Sequence, residues 1–531
     1  MRALVIVLVV SALLMNACAN RVTPTGGARD TQAPMLLRVS PDNASINVRP
    51  ERIVFEFNEN IQLAPGRGLI RLSPPTVEPV RARAERNQLT IDIPDSLREN
   101  TTYILSLGQS VSDVNESNIL KGLSYRFSTG AVLDTFRISG VVRDAFTLQA
   151  VKGAEVLAFL ADNSWNDSLV FQRMPDFVAQ CNDSGKFVLE GLPGISVRLV
   201  ALADKDGDLQ CDDPAVEAIG KFPREVKLPQ DSIIDVVCSG EWPLKPRLTR
   251  SSRSDRHAAV LAFNRPIPSL QLRTFDERLS PLWYASASGD TVYVFTDQDS
   301  LNLLLMESGV CFDTLSIRLS AASGMTDVPP GIRLQVSALP LFAGDDAPVR
   351  ITCGRPIASV KDPVLMVTEK GDSLTAVPTI ADSLRGIIEL RAPWVRSGNY
   401  TLRFMPAQVI DRFGARNDST ELAFRIPSEE DLGAIDLTIK GWSGKGQGLL
   451  QVLSPGDDVL RTVSVSGDSV LHLAHLPPGP IRLRLIADKN SDGRWTPGQI
   501  ARNITAEQVW IHSLAVLVRA RWDTDAVFTV D

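Results

Sequence analysis

Short runs in which apolar and polar residues alternate, bounded by Gly, Pro, Asn, Asp and Ser, recur along almost the whole chain. Ile53-Val54-Phe55-Glu56-Phe57, Tyr103-Ile104-Leu105-Ser106-Leu107 and Tyr400-Thr401-Leu402-Arg403-Phe404 are three of them. A period of two sends successive side chains to opposite faces of a strand, so that one face is buried and the other meets water. Helical periodicity is nearly missing. The pattern predicts an all-β chain of tandem antiparallel β-sandwiches. One such sandwich closes its core in roughly 100 residues. The chain has 531, so several modules in series follow.

Internal repeats sharpen the division. Residues 187–204 (FVLEGLPGISVRLVALAD) and 470–488 (VLHLAHLPPGPIRLRLIAD) both read strand, Leu-Pro turn, strand, acidic loop. A second pair runs from Asn100 and Tyr103 through Val111-Ser112-Asp113 to Tyr125-Arg126-Phe127, and from Asn399-Tyr400 through Val409-Ile410-Asp411 to Leu422-Ala423-Phe424. A weaker third copy sets Ala258 to Ile267 beside Val349 to Ile357. The resulting map has sandwiches of one kind at 31–130, 241–338 and 339–428, and of another at 131–240 and 432–531. Laid end to end, five such modules would reach on the order of 150 Å.

The N-terminus carries an address. Arg2 precedes an apolar run, Ala3 to Leu14, too short for the roughly 20 residues of a spanning helix but long enough for a secretory signal. The run ends in Leu14-Met15-Asn16-Ala17-Cys18, which resembles the lipobox of bacterial lipoproteins. That resemblance implies a signal peptide over 1–17, a lipidated, palmitate-bearing Cys18 and membrane attachment. An ordinary signal peptide cleaved after Ala17 or Ala19 is the alternative. Residues 18–30 carry Pro24, Gly26 and Gly27 and read as a tether. Ala19 is not the aspartate that retains some lipoproteins in an inner membrane, and no acidic cluster follows. This favours the outer membrane, on either its periplasmic or its cell-surface face.

Residues 31–130 resemble bacterial Ig-like domains of the S-layer type through Ser40-Pro41-Asp42-Asn43, Ile53 to Asn60, Glu99 to Tyr103 and Phe127-Ser128-Thr129-Gly130. Residues 131–240 resemble the carboxypeptidase-regulatory, transthyretin-like sandwich through Ile138 to Asp144, Val151 to Val156 and Asp183-Ser184-Gly185-Lys186-Phe187. Lipobox, tether, Ig-like module and transthyretin-like module in that order resemble a family of Bacteroidota envelope lipoproteins.

Asp488-Lys489-Asn490-Ser491-Asp492-Gly493-Arg494-Trp495 places oxygen side chains at alternating positions before a glycine, a pattern that suits a hard cation such as Ca2+. Asp488, Asn490, Asp492, Arg494 and Thr496 are the candidate ligand positions. The loop lacks the bidentate glutamate of an EF-hand, since Gln499 stands at the twelfth place. Its sister offers Asp204, Asp206, Asp208 and Asp212, but Gly207 sits two positions early, which makes its geometry the poorer of the two. A solvated Asp/Asn/Gly turn is the plain alternative for both. No cofactor is required by anything in the sequence; a structural Ca2+ is the one candidate.

Asp-Ser or Asp-Thr before an apolar residue or Thr recurs around Ser96, Ser168, Ser232, Thr291, Ser300, Thr314, Ser373, Ser383, Ser419 and Ser469. This resembles the O-glycosylation sequon of Bacteroidota exported proteins; a turn before a strand explains the same pairs. Cys181, Cys211, Cys238, Cys311 and Cys353 are scattered, and buried free thiols are the expectation, with a pairing among Cys181, Cys211 and Cys238 left open. His472 and His475 sit three apart on a strand, so they face opposite sides rather than one metal. No HExxH, GxSxG or phosphate loop occurs, and nothing singles out a glycosidase-type carboxylate pair. A net charge of −7 argues against nucleic acid. The sequence is read as a non-enzymatic, outer-membrane-anchored scaffold whose partners are barrel proteins or other lipoproteins. An adhesin or glycan-binding lipoprotein comes second, and a hydrolase with an unrecognised carboxylate site third.

Overall fold

The computed structural model describes residues 30–530 apart from 64–69, 162–164, 231, 244, 256, 277, 287, 320–330, 339–347, 362, 370, 393 and 395–396. The alternation seen in sequence decides what each strand buries. In Arg52–Phe57, Ile53, Phe55 and Phe57 are fully buried while Arg52 is exposed. They meet Tyr103 and Leu105 of Thr102–Ser106 and Tyr125 and Phe127 of Ser124–Ser128. Two sheets close over this core. One runs Leu36–Ser40, Arg52–Phe57, Gln88–Asp92, Arg81–Glu85; the other runs Ser124–Ser128, Thr102–Ser106, Arg71–Ser73. The Tyr103 and Phe127 rings stack with centroids 5.3 Å apart.

The next sandwich has a different topology. Phe136–Asp144 lies between Lys186–Leu192 and Val236–Cys238, and its pairing with the latter is parallel. The facing sheet runs Phe177–Gln180, Glu155–Leu160, Ser196–Leu202, Ile219–Lys221. The same arrangement returns at the C-terminal end. Gly433–Lys440 lies between Ser469–Leu476 and a parallel Asp523–Thr529, over a sheet of Val459–Val465, Gly448–Leu453, Gly479–Ala487 and Val509–Ile511. The repeated segments 187–204 and 470–488 thus occupy equivalent places, each passing through its Leu-Pro turn from one sheet of its sandwich to the facing sheet. The two parallel pairs depart from an otherwise antiparallel, all-β fold. Only the short 3-10 turns Asp167–Phe171, Glu429–Asp431 and Ile500–Arg502 interrupt the strands among the described residues.

Two more sandwich cores lie between these copies. One gathers Leu261, Phe263, Val292, Val294, Leu303 and Leu305. The other gathers Val349, Ile351, Met366, Leu390, Leu402 and Phe404. The second pair of repeats also finds a common structural use. Asp113 accepts N–H groups from Glu116, Ser117 and Asn118, and Asp411 accepts them from Phe413 and Ala415, so each buried aspartate ties the turn that follows its strand.

Two expectations change. The boundary placed between 338 and 339 falls inside a sheet, because Gln335–Ala338 pairs with Val349–Thr352 and Ile332 and Leu334 are buried in the core around Val349. Their apolar alternation belongs to the following module. The end-to-end string is also replaced by a chain that turns back on itself. Ile500 is buried among Leu157, Phe159 and Val178 of the second sandwich, and its N–H donates to Glu241 at 2.6 Å. The Phe146 ring lies 5.0 Å from that of Trp495, with the Arg484 guanidinium 4.2 Å above it. Arg494 donates to the Ser288 carbonyl at 2.7 Å, and the His257 ring stacks on Phe413 at 4.8 Å. Apolar burial at several points, rather than linker length, sets the packing of the modules.

The revised boundary has a direct test. A fragment of residues 331–428 is expected to melt cooperatively, whereas one of 339–428, stripped of Ile332 and Leu334, melts lower by at least several degrees, since losing buried aliphatic side chains costs about 2–5 kcal/mol each. Circular dichroism melts of the two fragments measure the difference, and equal melting would restore the original boundary.

Candidate functional site

The acidic loops and the module contacts around them bring the candidate polar residues together. The first loop leaves strand Ser196–Leu202 and the second leaves Gly479–Ala487, the equivalent strand of the other copy. The two loops share a backbone. Left-handed conformations fall at Gly207 and Leu209 in one (φ 87° and 66°) and at Ser491 and Gly493 in the other (φ 57° and 77°). Glycine simply takes the first such position in one copy and the second in the other. The early glycine of the 204–212 loop therefore does not weaken its geometry, contrary to the expectation from sequence.

A buried glutamate fixes each loop, and sequence reasoning missed both. Glu217 accepts from Lys205 N–H at 2.9 Å and Asp212 N–H at 3.1 Å. Glu507 accepts from Lys489 N–H at 2.8 Å and Thr496 N–H at 2.9 Å. Burial pushes the Glu507 carboxyl above its ordinary range, and the donated N–H groups partly offset this. The spacing between the first aspartate and its glutamate differs between the copies, which hid the correspondence.

The loops differ in what they gather. Carboxylate oxygens of Asp204, Asp206 and Asp208 lie within 4.8 Å of one another. Burial, and then the charges of Asp206, Asp212 and Asp204, raise the Asp208 carboxyl. Asp204 also accepts from Gly207 N–H at 2.7 Å and Leu209 N–H at 3.0 Å. Asp212 is exposed and stands outside this cluster; its part is the N–H given to Glu217. In the other loop, Asp488 is buried with its two oxygens on Asp492 N–H and Gly493 N–H, each at 3.0 Å. Asn490 donates to the Thr496 hydroxyl at 2.9 Å, and the Arg494 side chain lies 3.4 Å from Asp492. A positive side chain over Asp492 opposes a divalent cation there. The loop at 204–208 also has a guanidinium near it, with Arg71 3.8 Å from Asp204, but its three gathered carboxylates fit Ca2+ better than the single buried aspartate and Arg494-paired Asp492 of the other loop.

The first sandwich reaches into this loop. Arg71 donates through Nε to Glu155 Oε1 at 3.0 Å, and its Nη1 donates to the Gly207 carbonyl at 3.4 Å. Its Nη2 stands 2.9 Å from Glu155 Oε1 and 3.8 Å from Asp204 Oδ2. Glu155 is 1% exposed. Its Oε1 also accepts from Gln180 at 2.9 Å, while Oε2 has no partner. Burial raises its carboxyl more strongly than Arg71 lowers it. Beside this pair, Val178 N–H donates to the buried Ser73 hydroxyl at 3.0 Å, and Arg98 lies 3.6 Å from Asp176. Glu155 could have been suspected from sequence, because it heads a run, Val156 to Leu160, that is apolar on both strand faces. Arg71 carried no such signal.

The remaining predicted positions are dispersed. Cys18 lies outside the described residues. Ser96, Ser232, Ser300, Thr314, Ser373 and Ser419 are exposed, and Ser168, Thr291 and Ser383 are half-buried. The Ser469 hydroxyl is buried without a partner, which removes it as a glycan acceptor in the folded chain. Thr291, Ser300, Ser373 and Ser469 each open a strand, as a turn-ending residue would. All five described cysteines are free, and burial pushes the Cys181, Cys211 and Cys238 thiols up to about 12. His472 pairs with Asp436 at 2.7 Å rather than sharing a site with His475. Among the described residues, no helix is long and apolar enough to cross a membrane.

Residues 30–129 match a family model described as a bacterial Ig-like domain, which bears out that reading of the first module. No curated protein matches the sequence. Among solved structures, the chain is similar to the Bacillus anthracis TIE protein at 8% identity, over 95% of this chain and 76% of that one, with a TM-score of 0.15. It is similar to the S-layer protein rSbsC(31-844) at 9% identity, over 86% and 64%, with a TM-score of 0.14. A third likeness is to native alpha-2-macroglobulin from Escherichia coli, domains MG0-NIE-MG1, at 12% identity over 50% and 96%, with a TM-score of 0.17. Scores of this size carry no argument about function.

Breaking the Arg71–Glu155 pair tests whether it joins the first two modules. Arg71→Ala is expected to cost about 3–5 kcal/mol in chemical denaturation, because it strands a buried carboxylate, whereas Arg71→Leu combined with Glu155→Leu recovers most of that loss. A carboxyl held above its ordinary value destabilises the fold only once it ionises, so the Arg71→Ala deficit grows as pH rises through the carboxylate range and shrinks in acid. A pH-independent deficit would contradict this assignment.

Proposed function

We propose that the chain is a non-enzymatic lipoprotein scaffold, held to the outer membrane through Cys18 and docking barrel proteins or other lipoproteins of an envelope complex. The observation that carries this reading is the bolting of successive sandwiches into one body. Arg71 enters the second module, and Ile500 ties the last module back onto it. A body of this kind holds surfaces at fixed positions relative to an anchor, which a string on flexible linkers does not. Among the described residues, strand edges remain without a pairing partner. Val310–Arg318 is an outer strand of its sheet with Val310 69% exposed, and Val459–Val465 is another, carrying one charged residue, Arg461. Long edges with few charges are suited to accept a partner strand.

Ca2+ fits this reading as a structural ion. Asp204, Asp206 and Asp208 would hold it, and it would stiffen the loop on which Arg71 rests. Addition of Ca2+ is expected to raise the melting temperature by several degrees, an increase removed by chelator or by Asp206→Asn with Asp208→Asn. Unchanged melting with and without chelator would eliminate the ion.

The scaffold itself is tested in gently solubilised membranes. The native chain should sediment with membranes and bring down a stoichiometric barrel or lipoprotein, and Cys18→Ser should release it into the soluble fraction. Recovery of the chain alone would count against the scaffold, and protease cleavage on intact cells together with glycan binding would turn the reading toward an adhesin.

A further inference from the structure

The seam between the second and last modules holds a cleft of about 400 Å³. Its walls are mostly apolar, with Leu148, Ile219 and Val237 from one module and Ile500, Ile504 and Val509 from the other. Glu241 lines the same cleft and is 5% exposed. Oε1 of this residue accepts the Ile500 N–H at 2.6 Å, and among the described residues that is the side chain's one partner. No cationic side chain among the described residues pairs with it. The other charged groups along the cleft are committed or remote: the Lys221 ammonium is held by Asp167 and Asn503, Glu507 accepts from Lys489 N–H and Thr496 N–H, and the exposed Lys489 makes no ion pair with Glu241.

A buried carboxylate without a counter-charge is costly to keep, unless something supplies the charge. Burial accordingly pushes the Glu241 carboxyl above its ordinary range, with only the Ile500 N–H opposing it. Apolar clefts at module seams with one such group are where small ligands bind. We infer that this cleft is a binding site for a small organic cation, a primary ammonium with an apolar body. The ammonium pairs with Glu241 Oε2, and the body lies against the Ile219 and Ile500 walls. Because the site is made by both modules, its ligand also strengthens their contact. The inference does not depend on the scaffold reading or on membrane attachment.

Titration calorimetry on the folded chain from residue 19 onward tests it, with phenethylamine as the probe and 2-phenylethanol as its neutral isostere. Phenethylamine is expected to bind about tenfold or more tightly than the alcohol, the difference expected of a charge-assisted hydrogen bond. Glu241→Gln keeps an acceptor for the Ile500 N–H and should abolish that preference while leaving the melting curve cooperative. Ala506→Phe, which fills the cleft and leaves Glu241 in place, should remove binding of both probes. No heat with either probe, equal affinity for the two, or a preference that survives Glu241→Gln would each overturn the assignment.

Discussion

The Arg71–Glu155 ion pair is the contact on which the arrangement of the first half depends. Glu155 begins a central strand of the second sandwich, so its carboxylate is buried by the sheet whether or not a partner arrives. Water cannot compensate that charge, and Arg71 of the preceding module does so through two nitrogens. The same guanidinium touches the acidic loop through Gly207. One residue thus links the Ig-like module, the core strand of its neighbour and the candidate cation loop. Buried pairs of this kind add little net stability compared with apolar replacements, but they penalise every misplaced arrangement of the two partners.

At the other seam the logic is apolar. Ile500 enters the cluster around Phe159, and Phe146 reciprocates by entering the last module beside Trp495, Leu449 and Ile486. Two copies of one topology therefore meet through non-equivalent surfaces. Their acidic loops have drifted in the same way. The backbone and the stapling glutamate persist, while one loop gathers three carboxylates and the other places Arg494 over its aspartate and extends it to Ser288. Both loops thus meet another module through an arginine, Arg71 coming to the first and Arg494 going out from the second. A Cβ on Gly289 would collide with that guanidinium, so the third module is shaped to receive it.

Much of this was legible in the sequence, where periodicity governs. Ile53, Phe55 and Phe57 alternate in the chain and in the core, and the repeat at 187–204 and 470–488 marks equivalent crossings between the two sheets of a sandwich. The acidic clusters were visible because their residues are adjacent. What escaped was non-local. Glu217 and Glu507 lie at different distances from their aspartates, and Arg71 is a surface-type residue until another module covers it. Ile500 looks like any loop isoleucine before the chain turns back. The boundary at 338 failed for a related reason: Ile332 and Leu334 alternate correctly, but periodicity cannot say which core a strand joins.

The chain is a folded-back body in which modules meet at packed seams, with Ile500 of the last sandwich buried in the second. Small-angle X-ray scattering of the chain from residue 19 onward tests this most directly. The folded-back arrangement predicts a maximum dimension well below the roughly 150 Å of five sandwiches in line, and predicts that Ile500→Asp lengthens the particle without altering its far-UV circular dichroism. A wild-type dimension near 150 Å, unchanged by Ile500→Asp, would contradict it.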